Sequence, residues 1–112
     1  MIGVHLIIDG VLHRRVDKDV GRRILSELPA LIGMKVLAGP YVVEGVPENP
    51  GWTGFVIIDK SHISIHTFDE GNKISVDVFS CKSFDVEVVV SYLEERLPFA
   101  KMNSQVLERS ED

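Results

Sequence analysis

Hydrophobic residues recur at helical spacing in two segments of the chain. Apolar residues at every third or fourth position, with Asp17 as a candidate N-cap, predict a helix over 17–32. The segment 84–97 is predicted as a second helix that ends before Pro98. Its run of three valines makes a strand the alternative there. Pro29 is unfavourable inside a helix, so we expect it to disturb the last turn of the first one.

The remaining apolar segments are short, and several alternate with polar residues, which is typical of β-strands. The predicted strands cover 2–9, 34–46, 53–59, 62–68, 73–81 and 100–109. Within the second of these, Gly39-Pro40 predicts a break or a bulge. The segment 47–51 is predicted as a loop. The sequence DEGN at 69–72 is a hairpin turn signal, so the strands on either side of it are expected to be neighbours.

This order of elements favours one domain spanning residues 1–112 with an α+β fold. The predicted architecture is a two-layer sandwich, in which an antiparallel sheet carries two helices packed on one face. A chain of this length can bury a core of modest size. The opposite face of the sheet must then be covered by something else or carry the function.

Composition and charge narrow the class of protein. Twelve basic and seventeen acidic residues give a formal charge of −5, which argues against a nucleic-acid-binding protein. The single cysteine, Cys81, excludes an intrachain disulfide. No segment approaches the length of a membrane span, and the N-terminus has neither a basic leader nor a cleavage pattern. We therefore expect a cytoplasmic protein without a membrane or nucleic-acid partner.

The segment DKSHISIHTF at 59–68 alternates polar and apolar residues. In a strand, His62, Ser64 and His66 would share one face, with isoleucines on the other. Such alternation is typical of a half-exposed strand, and this segment alone favours an ordinary solvated polar face. The alternative is a chemical site that includes Ser61.

Two generic interpretations of such a site are weak. A zinc ion could be bound by His62, His66 and Cys81, with or without His5, but the spacing matches no metal-binding motif. We therefore expect no metal. A Ser-His-Asp hydrolase would need its serine on a strand–turn–helix elbow, and that context is missing here.

SHISIHTF at 61–68, followed by VDVFSC at 76–81, resembles the prokaryotic S-adenosylmethionine decarboxylase proenzyme family. GVHLIID at 3–9 is similar to the opening strand of that family, and GFVIIDKSH at 54–62 to the strand that leads into its cleavage site. The resemblance covers residues 3–95 in order and spacing. It replaces the solvated-face interpretation for the serine, histidine and cysteine at 61, 66 and 81, and leaves the histidine and serine at 62 and 64 as strand-face residues.

The resemblance implies a proenzyme that cuts itself between Lys60 and Ser61, giving a beta chain of residues 1–60 and an alpha chain of residues 61–112. Ser61 would attack the Lys60 carbonyl to form an ester, and His66 would be the base that eliminates it. The new N-terminus would carry a pyruvoyl group generated from Ser61, the one cofactor expected. That group would form a Schiff base with the amine of a small-molecule substrate.

The resemblance also implies roles for residues around the cleavage site. Cys81 would be the proton donor, although a lone cysteine can also be a small buried hydrophobe. Phe68 would stack on adenine, or else be a core aromatic at the strand end. Asp9 is the acidic residue of the opening strand and a candidate substrate contact. Lys60 stands where the family usually has glutamate, but the acyl shift uses only its backbone carbonyl.

The implied function is decarboxylation of S-adenosylmethionine, which supplies the aminopropyl donor for polyamines such as spermidine. The alternatives are a pyruvoyl decarboxylase of ornithine or arginine, and an unprocessed relative that binds a ligand or a partner. A homodimer is expected, because a second copy can cover the free sheet face or edge. Small members of the family also look like half of a larger duplicated enzyme. Asp9 and Trp52 could then reach the pyruvoyl group of the partner.

Overall fold

Six strands form one antiparallel sheet in the computed structural model, which describes residues 1–112. The strands are β1 (Gly3–Leu12), β2 (Val36–Glu44), β3 (Trp52–Ile58), β4 (Ser61–Phe68), β5 (Lys73–Ser80) and β6 (Phe99–Arg109). Their order across the sheet is β2-β3-β4-β5-β1-β6. The predicted α+β class is confirmed, and the hairpin turn at 69–72 makes β4 and β5 neighbours as expected.

Both helices begin at an aspartate that caps them. In α1 (Lys18–Leu31), the Asp17 carboxylate accepts hydrogen bonds from two backbone N–H groups of the first turn. In α2 (Val86–Arg96), Asp85 does the same, which favours a helix over a strand in the valine-rich segment. Pro29 is buried inside the last turn of α1 without ending it. Neither helix is long and apolar enough to cross a membrane.

One hydrophobic core lies between the helices and the sheet. Ile24 and Leu28 of α1 and Val89 and Leu93 of α2 recur at four-residue spacing and are fully buried. Full burial of such a side chain contributes about 1.5–3 kcal/mol. The sheet supplies the other half of the core through alternate residues of its central strands, which are Leu6, Ile8, Val56, Ile58, Ile63, Ile65, Ile74, Val76 and Val78.

The structure corrects several predicted boundaries. The turn between β3 and β4 consists of Asp59 and Lys60, and Ile58 pairs with Ser61. The predicted strands had placed this turn one residue later, which left Ser61 outside β4. The first strand continues past its predicted end at residue 9 to Leu12. In β2 the register shifts on both sides of Ala38, close to the predicted bulge at Gly39-Pro40.

The sheet face opposite the helices, called the open face below, has no covering element. Alternation places on it the polar side chains of β4 and β5, as predicted. It also carries large apolar side chains that are each more than 40% exposed. These residues are Leu37, Tyr41, Val43, Ile57 and Leu107.

Candidate active site

Ser61 and Cys81 meet at the end of the sheet where β4 begins and β5 ends. The backbone N–H of Cys81 donates a 2.8 Å hydrogen bond to Ser61 Oγ. Ser61 Oγ donates to the carbonyl oxygen of Asp59 at 2.9 Å, and Cys81 Sγ lies 3.4 Å from the same oxygen. Ser61 is only 5% exposed, so protein groups rather than water hold its hydroxyl. The predicted pyruvoyl precursor and the predicted proton donor are therefore adjacent.

His66 lies at the other end of β4 and does not approach Ser61 within one chain. The two residues are five positions apart on a continuous strand. At a rise of roughly 3.3 Å per residue, this separates them by about 16 Å. The predicted processing base therefore cannot act on Ser61 of its own chain.

Thr53 is the contact of His66 that the sequence analysis missed. The two residues are opposite each other in the β3–β4 ladder, and Thr53 Oγ1 lies 2.8 Å from His66 Nδ1. This contact fixes the ring orientation, and the Thr53 hydroxyl accepts from Nδ1–H or donates to Nδ1 according to the tautomer of His66. The signal that could have identified Thr53 is the hairpin register, which depends on a turn that the sequence pattern misplaced.

Asp9 and Phe68, the two predicted substrate contacts, line one cavity of about 660 Å³. This volume is in the usual range of small-molecule sites. The cavity lies at the His66 end of the sheet, because Ser75 is opposite both Asp9 and His66 in its two ladders. Ser75 Oγ donates a hydrogen bond to Asp9. Phe68 is 37% exposed, so it is not the core aromatic that the sequence analysis offered as an alternative.

A stacked row of side chains crosses the open face beside Ser61. His62 stacks on Phe55 with ring centroids 5.3 Å apart, and Phe79 lies 5.7 Å away on its other side. The guanidinium of Arg109 covers the Phe79 ring at 5.2 Å. These four side chains and Ser61 line a shallow cavity of about 490 Å³. The Ser61 end of the open face is therefore apolar and aromatic, whereas the His66 end is polar.

The surroundings of His62 lower the pKa of its imidazole and so favour the neutral ring. Burial lowers the pKa of the His62 imidazole, and the neighbouring His5 lowers it further. Asp77 opposes the shift, and its carboxylate is engaged by His5, whose Nε2 lies 3.0 Å from Asp77 Oδ1. His62 therefore acts as a third aromatic ring in the row rather than as a cation.

The zinc grouping considered from the sequence does not form. His62 and His66 lie near opposite ends of β4, and His5 is engaged by Asp77. No three His, Cys, Asp or Glu side chains lie together in an arrangement that could hold a metal ion.

Trp52 does not lie on the open face. It is 6% exposed and packs in the core beneath Gly21 of α1. Its indole N–H donates a 2.9 Å hydrogen bond to the carbonyl of Val16. The expectation that Trp52 reaches a partner's site is wrong, because alternation along β3 places Trp52 on the helix side together with Ile58.

Known proteins with related sequences and structures point to one family. The family model described as S-adenosylmethionine decarboxylase matches residues 5–110. An S-adenosylmethionine decarboxylase proenzyme of Clostridium botulinum (strain Hall) is 42% identical over 104 residues, which covers 89% of this chain and 87% of the relative. Another from Geobacillus kaustophilus is 43% identical over 47 residues, or 42% of this chain and 38% of the relative.

A solved structure has the same fold. The crystal structure of the adenosylmethionine decarboxylase from Aquifex aeolicus matches with a TM-score of 0.76 and 27% sequence identity. The match covers 99% of this chain and 95% of that one. Together with a family match over nearly the whole chain, this confirms the resemblance seen in the sequence: the chain belongs to the S-adenosylmethionine decarboxylase family.

Proposed function

We propose that this chain is a pyruvoyl-dependent decarboxylase of S-adenosylmethionine that matures by self-cleavage between Lys60 and Ser61. The observation that carries the proposal is the contact of Ser61 Oγ with the backbone N–H of Cys81, at 2.8 Å, in a chain of this family. The named relatives support S-adenosylmethionine as the substrate. They give no support to ornithine or arginine, or to a protein without catalytic activity.

The fold suits a pyruvoyl group at the start of β4. Cleavage would cut the two-residue turn of Asp59 and Lys60, and β4 would still be paired with β3 and β5. The ladders β3–β4, β1–β5 and β1–β6 each join residues 1–60 to residues 61–112. The two fragments therefore remain interlocked after the break, and the new N-terminus stays beside Cys81.

The chain's own groups around Ser61 can serve both maturation and turnover. During maturation, the Cys81 N–H and the Asp59 carbonyl orient Ser61 Oγ next to the bond that it attacks. A pyruvoyl group formed from Ser61 would supply a carbonyl for the substrate amine and an electron sink for the decarboxylation. The Cys81 thiol is held beside this position and is the group that returns a proton to the substrate α-carbon.

A second copy of the chain completes the site. Ser61 and Cys81 lie at one end of the sheet, and His66, Thr53 and Asp9 lie at the other. A two-fold axis through the open face would place the Ser61 end of each copy against the His66 end of its partner. His66 of the partner subunit would then be the base for Ser61, and the cavity lined by Asp9 and Phe68 would bind the nucleoside.

The surface of the open face supports this pairing. Its exposed apolar side chains would face water in a monomer. An exposed apolar area of this kind is typical of a protein–protein interface. The helices already cover the opposite face, so a copy that packs through its own open face yields a four-layer arrangement with no unprotected sheet surface. A symmetric dimer of this kind has two equivalent sites.

The product would be the decarboxylated nucleoside that donates aminopropyl groups to polyamines such as spermidine. The sequence also predicts that this chemistry takes place in the cytoplasm.

Intact-mass measurement under denaturing conditions tests the cleavage. We expect one fragment that ends at Lys60 and one that begins with a pyruvoyl group at position 61. Ser61→Ala should give a single intact chain. A wild-type chain that stays intact after long incubation would contradict the proposal.

Co-expression of two inactive variants tests the shared site. Ser61→Ala retains His66, and His66→Ala retains Ser61, so neither should be cleaved in its own homodimer. In mixed dimers the His66→Ala chain receives His66 from its partner. At equal amounts and random pairing, about half of the His66→Ala chains should then be cut. No cleavage in the mixture, or a monomer by sedimentation at low micromolar concentration with full activity, would refute the shared site.

A further inference from the structure

Two residues other than glycine have a positive φ angle, Lys60 at 50° and Asn72 at 51°. Both lie in turns between neighbouring strands of the sheet. Asparagine tolerates this left-handed region, because its short polar side chain can hydrogen-bond locally. Lysine has no such compensation, and its Cβ comes close to the following carbonyl oxygen. Lys60 is also the residue whose carbonyl is attacked in the proposed cleavage.

The turn that contains Lys60 is tightly constrained. Ile58 and Ser61 are paired, so only Asp59 and Lys60 connect the two strands. The hairpin turns that match the twist of strands require a positive φ at the first of these residues, and Asp59 does not have one. The positive φ falls instead on the second residue, a position that glycine or asparagine normally occupies.

Ser61 is fixed on the other side of the same peptide bond. Its Oγ is held by the Cys81 N–H and the Asp59 carbonyl, and β4 is paired along its length with both neighbouring strands. The backbone on either side of the Lys60–Ser61 bond therefore cannot relax by a small local movement. The strain stays at Lys60 for as long as the chain is intact.

We propose that the left-handed conformation of Lys60 promotes the self-cleavage, by destabilising the intact amide relative to the ester that replaces it. This inference rests on the proposed function. In the acyl shift, Ser61 Oγ bonds to the carbonyl carbon of Lys60, the bond from that carbon to the Ser61 nitrogen breaks, and the hydroxyl proton ends on the freed amine. Lys60 acts here as a positioning residue through its backbone, and its charge has no part in the step.

The ester relieves the strain because it changes the connection between the two residues. In the amide, the Ser61 nitrogen alone joins the Lys60 carbonyl carbon to the Ser61 Cα. In the ester, Oγ and Cβ take its place, and this longer connection contains additional rotatable bonds. Lys60 can then leave the left-handed region while β4 keeps its register. The fraction of chains present as ester rises, and the elimination that follows acts on that fraction.

The size of the effect follows from the general penalty of the left-handed region. For a residue other than glycine or asparagine, this penalty corresponds to a factor of about 5 to 30 in an equilibrium constant. A variant that removes the strain should therefore be cleaved about 5- to 30-fold more slowly than one that retains it.

A set of substitutions at one position separates strain from charge. Lys60→Asn and Lys60→Gly relieve the strain, whereas Lys60→Ala removes the charge but retains the Cβ. The rate is measured as the loss of intact chain over time after synthesis. We expect the Asn and Gly variants to be cleaved about 5- to 30-fold more slowly than the Ala variant. Asn72→Gly, which relaxes the turn between β4 and β5, is the matched control and should be cleaved at the wild-type rate.

A second readout measures the strain without any cleavage. In the Ser61→Ala background the chain stays intact, and adding Lys60→Asn should raise the midpoint of thermal unfolding, whereas adding Lys60→Ala should not. Equal midpoints would overturn the inference.

The possible failures are distinguishable. If the Asn, Gly and Ala variants are all cleaved at the wild-type rate, the inference is wrong and the proposed function stands. If all three are cleaved equally and more slowly than the wild type, the lysine side chain matters rather than the strain, and the inference is again wrong. If the wild type is never cleaved, both the proposed function and the inference fail.

Discussion

Replacing Thr53 by valine tests whether Thr53 orients His66, the proposed processing base. Valine has nearly the same shape as threonine but cannot hydrogen-bond to His66 Nδ1, which now lies 2.8 Å from Thr53 Oγ1. The base role requires the tautomer in which Nδ1–H donates to Thr53, because that tautomer leaves Nε2 free to accept a proton. In Thr53→Val, the ring can rotate and can adopt the other tautomer.

The expected effect is modest. A hydrogen bond between neutral side chains contributes about 0.5–1.5 kcal/mol, which corresponds to a rate change of about 2- to 13-fold. Thr53 is exposed in the single chain, so water can replace part of the lost contact there. A partner subunit that covers the open face would exclude that water. We therefore expect cleavage to slow towards the upper end of this range, and by less than in His66→Ala.

The assay is the rate at which intact chain disappears in wild type, Thr53→Val, Thr53→Ser and His66→Ala. Serine retains the hydroxyl, so Thr53→Ser should be cleaved at a rate close to that of the wild type. If His66→Ala blocks cleavage while Thr53→Val leaves the rate unchanged, Thr53 does not orient the base.

Two further predictions concern stability. Helix propensity alone suggests that Gly21→Ala should stabilise the fold by about 1 kcal/mol. The added Cβ, however, would lie 2.5 Å from the Trp52 ring. Overpacking costs about 1–3 kcal/mol, so the free energy of unfolding measured in urea should be lower in Gly21→Ala than in the wild type. The control Ser26→Ala, at an exposed position of the same helix, should raise it slightly. A more stable Gly21→Ala would refute this. Because the lowered pKa of His62 favours its neutral form in the fold, the free energy of unfolding should fall as the pH drops through 6.5, the ordinary histidine value. His62→Phe should reduce that fall between pH values of about 7 and 5, and equal slopes in both proteins would contradict it.

The periodicity of the sequence was sufficient to predict the strands of the antiparallel sheet and the two helices. A core on one side of a sheet imposes strict alternation of apolar and polar residues along each strand. It was not sufficient for the turn before β4. Asp59 is of a type common in turns, but Lys60 is not, and no glycine or asparagine marks these two as the turn residues. Placing the turn one residue later moves the register by two positions and sets Phe55 opposite His66 in place of Thr53. For that reason the contact between Thr53 and His66 could not be predicted from the sequence.

The proposal of a second subunit, in contrast, follows from the length of the predicted strand. Ser61 and His66 are five positions apart, so the rise per residue separates them by about 16 Å, which is several times the reach of a hydrogen bond. If Ser61 is the nucleophile and His66 is its base, no bend or rotamer within one intact β4 can join them. A catalytic pair placed five positions apart on one strand is therefore by itself an argument for a site built from two chains.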